Sequence, residues 1–331
     1  MRRGALFLAV LAGLLVVPAG PASAHGGDAP DATAYRTEVT GFSTPVPGLT
    51  VRAVEAGARL ELVNDTGRTV EVLGYAGEPY LEVRPDGTYQ NVNSPATYTN
   101  ETLDGDSPVP SNASPAAAPQ WQRISGARTV RWHDQRTHWL SPGLPPQARA
   151  DPSRSHRLRD WVVPLRQDVS PFEVRGTLTW EPPPTTWAWW LGAAGLAAAV
   201  VALSLRRFRW VGALTLVAGT ITFGYAVTRA SLGVSGQAPA IGAAVLAASA
   251  GAATLLGRTP FLAFLGGTAL AIFGGLGDAG VLTQAVVNFP GPGWVSRAAV
   301  IIAVGVGAGT AMAALRRLRS PAPARISSEH D

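Results

Sequence analysis

The sequence predicts an extracytoplasmic all-β sandwich, immunoglobulin-like or cupredoxin-like, followed by an α-helical membrane domain of about five spans. Three observations carry this expectation. A leader-like segment opens the chain. The composition then changes abruptly near residue 186. Before that point apolar residues alternate in short runs, and after it they form long unbroken ones.

Residues 1–24 read as a secretory signal peptide. Arg2 and Arg3 precede an apolar run from Gly4 to Val17, and Ala22-Ser23-Ala24 supplies a small-x-small cleavage site. Cleavage after Ala24 makes His25 the first residue of the mature chain.

Residues 25–180 are expected to form the exported β domain. Leu49–Val54 and Arg59–Val63 alternate apolar and polar residues around Gly57. Asn64-Asp65-Thr66-Gly67 is a turn, and Thr69–Leu73 resumes the pattern. Tyr80–Val83 precedes the turn Pro85-Asp86-Gly87; Thr129–Trp132, Trp161–Leu165 and Phe172–Trp180 follow. Short strands bounded by turn residues, without amphipathic helices between them, define an antiparallel β architecture. Ser107–Pro119 and Leu140–Pro152 read as surface loops. Residues 181–186, Glu181-Pro182-Pro183-Pro184-Thr185-Thr186, read as a stiff spacer holding the domain just above the membrane.

Residues 187–315 are expected to cross a membrane near Trp187–Leu205, Trp210–Thr228, Ala238–Leu256, Pro260–Leu276 and Ala298–Leu315, leaving residues 316–331 as a cytoplasmic tail. The fourth segment is short; extension toward Val287 would bring Asp278 nearer the bilayer. With the β domain outside, Arg206, Arg207, Arg209, Arg258, Arg316, Arg317, Arg319 and Arg325 lie inside, and only Arg229 and Arg297 outside, in line with the positive-inside rule. Asp278 apart, the spans read as free of ionisable residues, which argues against active transport. Gly305, Gly309 and Ala313 predict close helix packing within the chain. Gln284–Gly293 would be an external loop, either plain or folded back beneath the β domain.

The net charge of +5 divides unevenly. Residues 25–185 carry 19 Asp and Glu against 15 Arg, and residues 186–331 carry 10 Arg against 3 acids. The basic excess therefore flanks the spans, which accounts for it without nucleic acid. The chain has no Cys, which excludes disulfides, iron–sulfur clusters, thiolate zinc sites and thiol catalysis. No G-x-S-x-G or HExxH occurs, so binding is favoured over catalysis.

Five histidines occur: His25, His133, His138, His156 and His330. An N-terminal His25 offers an α-amine and an imidazole to one metal ion. Its expected partners lie in Trp132-His133-Asp134-Gln135-Arg136-Thr137-His138-Trp139. An amine with two imidazoles in a planar arrangement favours Cu(II). On a regular strand His133 and His138 face opposite sides. Either a turn at Asp134–Thr137 unites them, or one alone joins His25; His133 is the expected one. Asp134 and Gln135 are expected as weak or outer ligands, with Trp132 and Trp139 packed over the metal. The leading expectation is thus a membrane-anchored copper-binding protein acting in copper handling or sensing. The alternative is a non-metal module that docks an envelope or membrane protein.

Gly77-Glu78-Pro79-Tyr80-Leu81-Glu82-Val83, Pro85-Asp86-Gly87, Ser94-Pro95-Ala96-Thr97-Tyr98, Trp132–Trp139 and Gly176-Thr177-Leu178-Thr179-Trp180 resemble an uncharacterised, largely actinobacterial family of exported β-domain proteins with a C-terminal membrane domain. The resemblance covers residues 49–184 and implies no established activity. The family motif carries His where this chain has Gln135, so a His-x-His pair is missing here. The N-terminal His is similar to that of periplasmic copper-binding proteins of the CopC-like and YcnI-like groups.

Overall fold

The computed structural model describes residues 30–257 and 260–319. The expected signal peptide, His25, Arg258 and the tail from residue 320 lie outside the described residues. Up to Trp180 the chain forms β-structure, and from Thr186 it forms five helices long and apolar enough to cross a membrane.

All seven expected strands are present. In the full set, β1 is Ala32–Thr33, β2 Tyr35–Phe42, β3 Leu49–Val54, β4 Arg59–Asn64, β5 Val70–Leu73, β6 Pro79–Arg84 and β7 Gly87–Asn91. β8 is Trp121–Ser125, β9 Thr129–Trp132, β10 His156–Gln167, β11 Ser170–Trp180 and β12 Val286–Val287. A seven-stranded antiparallel sheet runs β2-β11-β10-β5-β6-β7-β8, and a three-stranded one runs β3-β4-β9.

The two sheets share one apolar core. Leu60, Leu62 and Trp132 enter it from the smaller sheet, and Val70, Val72, Val163, Leu165 and Leu178 from the larger. Each fully buried side chain of this size contributes about 1.5–3 kcal/mol. The outer face of β4 is covered too: Glu61 lies between Arg52 and Arg131, with Nε–Oε distances of 2.6 Å to each. Burial alone would push the Glu61 pKa up, but hydrogen bonds from the two guanidinium groups overcome it and hold the pKa below the usual value.

The helices are α1 Thr186–Arg206, α2 Phe208–Ser231, α3 Gln237–Leu255, α4 Pro260–Leu282 and α5 Gly293–Arg319. They pack through glycine. A Cβ on Gly212 would meet the Gly251 carbonyl oxygen at 2.7 Å, and one on Gly251 would meet that of Gly212 at the same distance. Gly267 on α4 and Gly307 on α5 form a second reciprocal pair, also at 2.7 Å. Gly305 and Gly309 press on α1, at Ala193 and Ala197, so the expected small-residue face is used within the chain.

The fourth helix is longer than the hydropathy minimum suggested, and it is irregular. Its α-helical start gives way to a π-helical turn at Leu270–Gly275 and then a 3₁₀ stretch at Leu276–Leu282, with a kink at Asp278. The following loop does fold back: β12 pairs with β1, Ala32 opposite Val287 and Thr33 opposite Val286. The proline spacer is docked as well, since the Thr186 hydroxyl donates to the Leu282 carbonyl (2.9 Å).

Candidate functional site

The segment Trp132–Trp139 leaves the end of β9 and turns sharply. Asp134 caps the 3₁₀ turn Gln135–Thr137 and is fully buried. Its carboxylate accepts from Trp132 Nε1 (3.1 Å), from the Arg136 backbone N–H (3.1 Å), and from Arg136 Nε (2.8 Å) and Nη2 (2.7 Å). Arg136 also reaches the Leu73 carbonyl on β5 at 3.1 Å. The Gln135 amide N–H donates to the Tyr75 hydroxyl (3.0 Å), and its side chain reaches the Thr99 carbonyl (3.3 Å). Thr37 Oγ1 on β2 donates to the Thr137 carbonyl at 2.9 Å. Trp132, Asp134 and Gln135 are thus occupied in tying the two sheets together, while Trp139 donates to the Gly143 carbonyl at 3.1 Å.

The turn brings the two histidines onto the same part of the domain, but into different environments. His133 is buried beneath β4. Its Nδ1 lies 2.8 Å from the Ala58 carbonyl, and its Nε2 lies 3.1 Å from Arg59 Nε. The carbonyl fixes the proton on Nδ1, so Nε2 accepts from the arginine. A metal at Nε2 would have to displace that guanidinium.

His138 emerges on the other side of the turn. Its Nε2 meets Thr137 Oγ1 at 3.3 Å, and the ring also bonds the Ala58 backbone. The ring borders a cavity of about 260 Å³ lined also by Pro30, Thr33, Tyr35, Asp104 and Trp139. Burial, reinforced by neighbouring His133, lowers the His138 pKa from 6.5 to about 4. The imidazole is therefore neutral at physiological pH, the form that binds metals. His156 is engaged elsewhere, with Nε2 2.6 Å from the Asp151 carbonyl and its ring against Trp180. Among the described residues no group of three or more His, Asp or Glu is arranged to hold a metal ion.

A second polar centre lies where the β domain meets the bundle, and it engages Asp278 and both arginines that the sequence placed outside the spans. α2 continues through Arg229, whose side chain is fully buried. Arg229 Nη2 is 2.9 Å from Asp278 Oδ1 at the kink of α4 and 2.7 Å from Asp31 Oδ1; Nη1 is 3.0 Å from the Asp31 carbonyl. The Tyr225 hydroxyl donates to the other Asp278 oxygen. On α5, Arg297 donates to the carbonyls of Val281 (3.1 Å), Gln284 (2.8 Å) and Ala285 (2.9 Å), which fixes the loop carrying β12. The sequence placed both arginines just outside the spans and Asp278 near the bilayer; it could not show that Arg229 and Asp278 pair, because 49 residues separate them.

These features define a class: a multi-sheet β domain fastened by an ion cluster around the buried Arg229 and by a two-residue strand pair to five helices of membrane-spanning length. Compared with protein-family models, with curated proteins and with solved structures, the chain shows no significant match to any.

Proposed function

We propose that the chain is a cytoplasmic-membrane protein whose extracytoplasmic β sandwich binds Cu(II) through the amine and imidazole of His25 and the imidazole of His138, in copper handling or sensing. One observation carries this reading: Pro30 and His138 border the same cavity. Five extended residues span at most about 17 Å, so His25 is within reach of it. His138 is favoured over His133, the expected partner of His25, because both His133 ring nitrogens are engaged, by the Ala58 carbonyl and by Arg59. Asp104, on the same cavity wall, is a candidate oxygen ligand. The orientation, with α5 ending inside, rests on the distribution of arginines.

The test uses the full chain, exported so that its leader is removed by the cell and its N-terminus verified by mass. Cu(II) EPR should give nitrogen hyperfine structure at one copper per chain. His25→Ala and His138→Ala should each abolish tight binding, and one extra residue before His25 should weaken it sharply. Signals unchanged in both histidine variants would exclude these ligands.

The second reading, a module docking an envelope or membrane protein, draws on the rigid fastening of the β domain to the bundle through Asp31 and Arg229. Failure of the authentically processed chain to retain copper would favour it.

A further inference from the structure

The end of the bundle distant from the β domain holds a basic cavity of about 830 Å³. Arg206, Arg207, Arg209 and Arg317 line it, from the end of α1, the start of α2 and the end of α5. Its apolar wall includes Phe208, Trp210 and Pro260. The arginines are held in place by the fold: the Arg317 guanidinium lies 4.3 Å from the Phe208 ring centroid, and Arg209 Nε lies 3.2 Å from the Leu255 carbonyl. No carboxylate neutralises them among the described residues. Asp278 is the one acid between residues 186 and 319, and it belongs to the opposite end of the bundle. Trp210 in the lining is exposed, as are Leu205, Leu256 and Phe261, each next in sequence to a lining residue, so an apolar surface adjoins the cavity.

Arginines serving topology alone need only be on the correct side of the membrane. Here arginines from three helix ends line one concavity that adjoins exposed aromatic and apolar side chains. Basic pockets between spanning helices are suited to phospholipid headgroups. The guanidinium fork matches phosphate oxygens, and the exposed Trp210 suits the headgroup level. We propose that this cavity binds the phosphodiester headgroup of an anionic glycerophospholipid, with its acyl chains lying against the adjoining apolar surface. The site is independent of the copper reading.

Native mass spectrometry of the full chain tests this. The detergent-purified protein is offered equal amounts of phosphatidylglycerol and phosphatidylcholine with identical acyl chains. Phosphatidylglycerol should be retained preferentially. Each arginine near the surface contributes about fivefold in affinity, so Arg207→Gln with Arg317→Gln should weaken retention about 25-fold. The charge-matched pair Arg316→Gln with Arg319→Gln should weaken it far less. Arg206→Gln, with an expected loss of about fivefold, guards against a folding defect in the first pair. Equal retention of the two lipids overturns the proposal, as does an equal loss in the control pair, which would mark bulk surface charge. Displacement of the lipid by millimolar inorganic phosphate would overturn the lipid assignment in favour of a soluble anion site.

Discussion

Two histidines five positions apart have opposite fates because one backbone turn separates them. Both rings bond the Ala58 backbone, but Arg59 takes the other nitrogen of His133, whereas His138 borders a cavity. The sequence identified both as candidates, and the turn at Asp134–Thr137 was one of two options it left open. It could not reveal that Arg59, distant in sequence, takes the Nε2 of His133. The depressed His138 pKa has a sign that can be checked. Below pH 6.5 the unfolded chain protonates this histidine, while the folded one resists until about pH 4. The metal-free protein should therefore lose stability as pH falls across that window, by as much as about 3 kcal/mol. Chemical denaturation at stepped pH measures it, and His138→Gln should flatten the slope. A slope unchanged by that substitution would assign the effect to other groups.

At the scale of elements, legibility followed burial. The seven strands read from sequence contribute to the core and alternate visibly. β2 and β8 are the edges of the large sheet and bury little, so their patterns are weak. β7 is buried but polar: its Thr88, Gln90 and Asn91 are enclosed, and Asn91 bonds the Pro79 carbonyl at 2.7 Å. Apolar periodicity cannot find such a strand. The helices were legible because length and composition suffice to define them, yet the irregular turns of α4 were not. Helix contacts offer a paired test. Gly251→Ala would force a Cβ against the α2 backbone at Gly212 and Leu216, and should destabilise by about 1–3 kcal/mol. Gly242→Ala, on the same helix with open space around it, should be neutral or mildly stabilising. Thermal unfolding in detergent distinguishes them; equal effects would mean that the α2–α3 contact is looser than described.

The whole molecule turns on Arg229, which joins α2, the kink of α4 and Asp31, the residue just before β1. Removing one partner of a buried ion pair typically costs about 3–5 kcal/mol, because the other charge is left stranded. Arg229→Met should show a loss of this order in unfolding, and adding Asp278→Asn should recover part of it. Asp31→Asn should spare the bundle but raise hydrogen exchange at residues 32–33 and 286–287. The division between β domain and spans was legible from composition alone. Their fastening was not, since it depends on two valines pairing with a segment some 250 residues earlier. That separation also sets a timetable for synthesis. β1 leaves the ribosome some 250 residues before its partner, which emerges only with the turn between α4 and α5. Until then β1 has no strand beside it among the described residues. A chain stalled before β12 would carry a nearly finished β domain with its first strand still waiting.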